Sequence, residues 1–240
     1  MISLSVQITN KSTTMDLTVV IPCLDEERTI AACIEKCIQV FTELGINAEV
    51  LVVDNGCSDN TVKIAENNGA RVVFCPQKGY GNALRCGFAN AKGKYVLMAD
   101  GDNTYDFSEI PLLWEKLTPD VDMVTGSRLR GNIEKGAMPF LNRYLGNPVL
   151  TFILNFLYGI RISDSQCGMR LMKKECLDQI EFKTTGMEFA SELYVEFVKH
   201  KFNIVETPIS LYKNIEGRIP HLRPWRDGLR HLIYLIKAKF

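Results

Sequence analysis

The chain predicts an α/β fold with a mostly parallel central sheet and helices on both faces. Three observations carry the prediction. Short β-branched apolar runs alternate with stretches of helical spacing from residue 17 to residue 125. The length, 240 residues, suits one domain of this class. Acidic residues recur just past the ends of the apolar runs, where open α/β sheets bind their ligands.

Each element has its own reason. Leu17–Pro22 (LTVVIP) is a short run of the kind found in strands buried on both faces. From Asp25 to Phe41, residues Ile30, Cys33, Ile34, Cys37, Ile38 and Phe41 fall on one helical face. Glu49–Asp54 (EVLVVD) is a second strand, and Ser58–Asn67 a helix capped by Ser58 or Asp59. Ala70–Cys75 is a third strand, Tyr80–Ala91 a helix, and Tyr95–Ala99 a fourth strand. Phe107–Leu117 is a helix and Val121–Thr125 a fifth strand. Beyond Gly131 the pattern weakens. Phe140–Ile160 reads as one or two apolar helices, Ser163–Arg170 as a polar loop, and Glu188–Lys199 as a helix. Phe202–Glu206 and Ile209–Tyr212 read as strands flanking Pro208, and Gly228–Phe240 as a last helix. No repeat or linker divides the chain, so residues 1–240 are expected to form a single domain.

Composition removes several function classes. Apolar residues are 46% and charged residues 23%, ordinary for a globular protein. Twenty-eight basic and 28 acidic residues cancel, which argues against nucleic acid as a partner, since that binding needs excess positive charge. The balance is uneven along the chain. Tyr212–Phe240 holds seven Lys or Arg against two acids, net +5, so the rest carries −5. Such a tail meets an anionic partner or is a solvated helix face. The eight cysteines form no CxxC and no zinc-finger spacing, and read as reduced, mostly buried thiols. No signal peptide is visible, and no stretch reaches the roughly 18 uninterrupted apolar residues of a membrane span.

The sharpest motif is Met98–Asp106 (MADGDNTYD), at the end of the fourth strand. Asp100 and Asp102, with Gly101 between them, can aim at one hard cation such as Mg²⁺ or Mn²⁺. The same residues are good turn formers, and it is their place at a strand's carboxyl end that favours the cation. Lys78–Leu84 (KGYGNAL) imitates a dinucleotide fingerprint but lacks its third glycine and follows the third strand. The loop after the first strand is acidic and would repel a pyrophosphate, and no P-loop is present. Cys167 reads as a buried thiol rather than a nucleophile, since no His lies near it in sequence. His200, His221 and His231 read as surface or packing residues, the last two within reach of a phosphate bound at the basic tail.

Taken in order, these stretches resemble the inverting nucleotide-sugar glycosyltransferases of family two, in the branch of dolichol-phosphate mannosyltransferases and bactoprenol glucosyltransferases. The matching segments are VVIPCLDEE at Val19–Glu27, VDNGCSDNT at Val53–Thr61, KGYGNALRCGF at Lys78–Phe88, GKYVLMADGDNTYDFSEI at Gly93–Ile110, GSR at Gly126–Arg128, DSQCGMR at Asp164–Arg170 and PHLRPWRDGLRHL at Pro220–Leu232. The resemblance implies a GT-A-like domain, with residues 17–130 as the nucleotide-sugar-binding half, 131–225 as the acceptor side and 226–240 as a basic amphipathic helix. It implies that Pro22, Leu24 and Glu26 contact the nucleotide, that Asp54 reads the base, and that Gly81 and Gly101 line the donor site. It implies Asp100 at the ribose and metal, with Asp102 and Thr104 as further metal contacts for Mg²⁺ or Mn²⁺. Arg128 would bind donor or acceptor phosphate, and Arg143 the acceptor phosphate. The implied reaction moves a sugar from a UDP- or GDP-sugar to a polyprenyl phosphate at the cytoplasmic face of a membrane. The contact with that membrane is peripheral or made through a membrane-protein partner. Many relatives continue into transmembrane helices after such a segment.

The residues are consistent with that chemistry. A leaving pyrophosphate is stabilised by a cation and an Arg, and an acceptor phosphate is already ionised. A saccharide hydroxyl acceptor would need a carboxylate base, for which Asp164 is the candidate. Asp164 also reads as a helix cap or loop hydrogen-bonder. A non-catalytic domain that binds nucleotide or membrane is the reading from another class. In the tail, Leu229, Leu232, Ile233, Ile236 and Phe240 share one helical face, and Arg226, Arg230 and Lys237 another. Such a helix lies in a membrane interface or packs on the body, and periodicity does not separate the two.

Overall fold

A computed structural model describes residues 14–215 and 223–240. The elements in order are β1 (Leu17–Cys23), α1 (Ile30–Leu44), β2 (Ala48–Asp54), α2 (Thr61–Asn67), β3 (Arg71–Phe74), α3 (Tyr80–Asn90) and β4 (Tyr95–Met98). A 3₁₀ turn (Phe107–Glu109) leads into α4 (Ile110–Trp114), then β5 (Met123–Ser127). A π-helical turn (Asn142–Gly146) runs into α5 (Asn147–Tyr158). The chain continues through β6 (Arg170–Lys173), α6 (Lys174–Leu177), α7 (Phe189–Lys199), β7 (Ile204–Pro208) and α8 (Pro224–Lys237).

Seven strands form one sheet in the order β3-β2-β1-β4-β6-β5-β7. All neighbours are parallel except β6, which runs antiparallel to both β4 and β5. Successive strand residues point to opposite faces, so each strand feeds two cores. Val19 and Ile21 pack with Ile30, Ile34, Ala65 and Leu113 beneath α1, α2 and α4. Val20 and Val53 pack with Leu84, Leu154, Leu193 and Leu235 beneath α3, α5, α7 and α8.

The expected helix over Asp25–Phe41 begins only at Ile30. Residues 25–27 are instead clasped to the loop after β2. Asp25 Oδ1 accepts the Ser58 amide at 2.6 Å, the Glu27 amide donates to Asp59 at 3.0 Å, and Glu27 accepts the Asn60 amide at 3.1 Å. Asp59 binds Thr61 from the loop, and α2 starts at Thr61 with no side-chain cap. β5 begins at Met123 and extends through Gly126 and Ser127, because those residues pair with Thr207 and Pro208. Only one strand forms near Pro208, and Leu211 makes a single bridge to Ile133. The largest departure is β6. Its residues Arg170–Lys173 lie at the end of, and just beyond, a stretch read as polar loop, and only pairing on both sides makes them a strand.

Candidate active site

The parallel strands β1, β2, β4 and β5 end on one edge of the sheet, at Cys23, Asp54, Met98 and Ser127. Asp54 Oδ1 accepts the amides of Gly56 and Cys57 at 2.9 and 2.7 Å, which turns the chain sharply after β2. Pro22 and Leu24 are half-buried here, and Glu26 is almost fully buried.

The acid loop after β4 is held from three sides. Tyr80, at the start of α3, donates its hydroxyl to Asp100 Oδ1 at 3.0 Å. Thr104 donates its hydroxyl and its amide to Asp102 Oδ1, at 2.6 and 3.1 Å. Asn214 Nδ2 lies 3.4 Å from Asp102 Oδ2, and the Tyr212 amide donates to the Thr104 carbonyl at 2.9 Å. Asp100, Asp102 and Thr104 thus present oxygen donors only, a set that suits a hard divalent cation.

Opposite that loop stands an ion pair. Arg128, one residue past β5, donates Nε and Nη2 to the two oxygens of Asp164 at 2.7 and 2.8 Å, and its amide adds a third bond at 3.1 Å. Asp164 is 0% exposed. Burial alone would raise its pKa, but the Arg128 charge and hydrogen bonds outweigh burial and hold the carboxyl below its usual range. The candidate base is therefore a carboxylate committed to Arg128, as the reading of Asp164 as a loop hydrogen-bonder has it. Glu206 fixes the same loop by accepting the amides of Ser163 and Asp164 at 2.8 and 3.2 Å.

Two residues missed in the sequence join the halves of this site. The Gly168 amide donates to the buried Tyr105 hydroxyl at 2.8 Å. A side chain at position 168 would place its Cβ 2.7 Å from Asp100 Oδ2, so only glycine lets DSQCGMR approach the acid loop. Tyr80, within the noted KGYGNAL stretch, is the other. Neither carries a spacing signal, because Tyr80 acts across 20 residues and Gly168 through the lack of a side chain.

The structure also places the remaining candidate residues. Gly81 donates its amide to the Thr185 carbonyl at 3.1 Å, and a Cβ there would lie 2.7 Å from the Thr184 carbonyl. Its glycine identity thus answers to the 184–185 segment packed on α3. Thr104 spends its hydroxyl hydrogen on Asp102. Arg143 sits on the π-helical turn, its guanidinium 5.4 Å from the Tyr144 ring centre. His231 is buried and bonds the Ser191 hydroxyl at 2.7 Å, so it does not face a phosphate. His221 and the PHL of the PHLRPW stretch lie outside the described residues. Cys167 is fully buried and its thiol is pushed up to about 12, in line with its reading as a buried thiol. Asp25, Cys57 and Asp59 also bring ligand atoms within 4.8 Å of one another. Their atoms are already engaged in the clasp between the first two loops, and burial holds the Cys57 thiol up at about 12.

A family model described as "Glycosyl transferase family 2" matches residues 18–181, more than half of the chain and nearly all of the strands just described. The chain belongs to glycosyl transferase family 2. It is 41% identical over 221 residues to the low-salt glycan biosynthesis hexosyltransferase Agl6 of Haloferax volcanii, covering 92% of this chain and 53% of that protein. It is 34% identical over 216 residues to the dolichyl-phosphate hexose transferase of the same organism, covering 89% of each. The chain thus spans about half the length of Agl6 and 66% of a further Haloferax relative, glycosyltransferase AglJ. Among solved structures it resembles glucosyl-3-phosphoglycerate synthase from Mycobacterium tuberculosis in complex with Mn²⁺, UDP and glucosyl-3-phosphoglycerate. The TM-score is 0.72 at 21% identity, over 94% of this chain and 80% of that one. The shared fold is the GT-A type that the sequence predicted.

Proposed function

We propose that this family 2 protein transfers one sugar from a UDP- or GDP-sugar to a polyprenyl phosphate, with inversion, at the cytoplasmic face of a membrane. The observation that carries the reading is the Arg128–Asp164 pair beside the acid loop. A buried guanidinium held on one side by a carboxylate is a fixed cation for a phosphate, and the pair engages the Asp164 carboxylate that would otherwise deprotonate a hydroxyl. A phosphate acceptor needs no such base. Its ionised oxygen attacks the anomeric carbon from the face opposite the leaving group. The bond from that carbon to the diphosphate oxygen breaks, and the electron pair leaves with the nucleoside diphosphate.

In this reading Pro22, Leu24, Glu26 and Asp54 receive the nucleotide, Asp100 the ribose, and Arg128 with Arg143 the acceptor phosphate. Asp100, Asp102 and Thr104 would hold Mg²⁺ or Mn²⁺. Bound there, the cation neutralises charge on the leaving diphosphate. Tyr80 orients Asp100, and Gly168 keeps the approach to it open. Support comes from a similar protein named as a dolichyl-phosphate hexose transferase and from a fold neighbour solved with Mn²⁺ and UDP. The second reading, a saccharide hydroxyl acceptor, needs Asp164 released from Arg128.

The test is transfer from labelled UDP- and GDP-sugars, with Mg²⁺ or Mn²⁺, to a polyprenyl phosphate. Metal-dependent label in the organic phase from one donor is expected, and Asp102→Asn should abolish it. Donor consumption without lipid label would favour the hydroxyl acceptor. No consumption of any donor would favour the non-catalytic reading.

A further inference from the structure

Most of the large apolar side chains left in water gather on two segments that touch each other. Helix α8 carries three stripes. Asp227, His231 and Leu235 are buried against the body. Trp225, Leu229, Ile233, Ile236 and Phe240 face outward, with Trp225 83% exposed. Arg226, Arg230 and Lys237 form the third stripe, about 90° around the helix from the apolar one at 100° per residue. The apolar face that periodicity predicted therefore does not pack on the protein.

The second segment is the π-helical turn with α5. Phe140 and Tyr144 contact each other at 4.7 Å between ring centres, and Phe152 and Phe156 stack at 6.2 Å. All four are exposed, Phe156 by 77%. The Tyr158 hydroxyl donates to the Leu235 carbonyl at 2.8 Å, and the Lys239 ammonium lies 5.5 Å from the Tyr158 ring centre. From Gly136 to Ser163 the chain has no acid, and its only charges are Arg143 and Arg161.

We propose that the outer faces of α5 and α8 form one surface that lies on an anionic lipid bilayer. Deepening the lipid-acceptor reading, the inference names the surface that brings the site to its acceptor. The aromatic ridge and the α8 stripe enter the boundary between headgroups and acyl chains. Arg143, Arg226 and Lys237 meet lipid phosphates at its margin, and Trp225 sits at headgroup depth. Among the described residues no helix is long and apolar enough to cross a membrane, so the contact lies in the plane. The charge pattern selects this occupant over a second copy. A self-paired patch would set Arg143, Arg226 and Lys237 against their own copies, while the nearby Glu188 is already paired with Arg230.

The experiment is co-sedimentation of the chain with phosphatidylcholine vesicles, with and without about a third phosphatidylglycerol. Binding is expected to need the anionic lipid and to weaken as salt is raised. The double variants Phe152→Glu/Phe156→Glu and Leu229→Glu/Ile233→Glu should each lower vesicle partition at least about tenfold. Circular dichroism and UDP binding should stay unchanged, since all four side chains are exposed. Unaltered partition in both double variants overturns the proposal. So does a concentration-dependent dimer that these variants abolish while wild-type protein ignores vesicles. Transfer to a short, water-soluble prenyl phosphate separates the two readings. Turnover there without vesicle binding sinks the surface alone, and vesicle binding without turnover sinks the transferase reading alone.

Discussion

The two halves of the molecule differ in the charge they bury and the aromatic surface they expose. In the first half, apolar faces turn inward. Ile30, Cys33, Ile34, Cys37, Val40 and Phe41 of α1 are buried, and among the buried charged residues only Glu26 comes from this part. After residue 139 the apolar core continues through Leu154, Leu193 and Leu235, but buried charge and exposed aromatic rings join it. Asp164, Arg170, Glu188, Glu192, Asp227 and His231 are buried, while Phe140, Phe152, Phe156 and Trp225 face water. The difference teaches that amphipathic periodicity reports a helix and its stripes but not the direction of the apolar one. α1 and α8 share the pattern and use it in opposite senses. It also shows what buried charge demands. Arg170 is fully enclosed and donates to the carbonyls of Cys167, Ala190 and Ser165, with its guanidinium 4.2 Å from the Tyr194 ring centre. Such partnering makes this half rigid, because each unmet donor would be costly.

Four measurements break or sharpen this contrast. The largest effect is expected at the buried pair. Asp164→Ala should cost about 3–5 kcal/mol in urea unfolding by leaving Arg128 unpaired, whereas Asp102→Asn should stay within about 0.5 kcal/mol. Equal costs would erase the distinction between the two acids. Next, Ile34→Ala in α1 should cost about 2–5 kcal/mol and Ile233→Ala in α8 no more than about 0.5 kcal/mol. A large loss at Ile233 would mean that the α8 stripe is core after all.

The third concerns pH. Burial lowers His231 from 6.5 to about 4 and wins over the nearby Glu188 and Asp227, which favour the proton, while Arg170 and Arg230 oppose it. With its folded pKa depressed, the unfolded chain binds the extra proton between these values. Roughly 3 kcal/mol of stability, present above pH 6.5, is then lost as the pH falls toward 4. Denaturant midpoints measured across that range should show the slope, and His231→Gln should flatten it. The smallest effect is at the acid loop. Tyr80→Phe removes one hydrogen bond to Asp100 and should weaken Mn²⁺ binding by up to about tenfold, read by electron paramagnetic resonance, with unfolding shifted by no more than about 1.5 kcal/mol.

Much of the fold was legible because its signals are local. A β-branched run such as Val50–Val53 can only be a buried strand, and the Met98–Asp106 loop announces itself by position at such a strand's end. The helix starts were less legible, since Asp25 and Glu27 look like a helical first turn until Ser58 and Asn60 are brought beside them. β6 was illegible for the same reason. Arg170–Lys173 has no alternating pattern, and its strand character comes wholly from Val96 on one side and Val124 on the other, through Met172 and Leu171.

The candidate site divides in the same way. By itself the sequence determined the parallel strands β1 to β5, the helices between them and the acid loop at their carboxyl ends. Burial preference and the two periodicities act over a few residues and are written in residue order. Only the tertiary structure decided that Asp164 belongs to Arg128, 36 positions away. It also decided that Gly168 must be bare beside Asp100, that Gly81 answers to Thr185, and that the apolar stripe of α8 faces outward. Each depends on which distant surface arrives at that point, and no local pattern records the arrival.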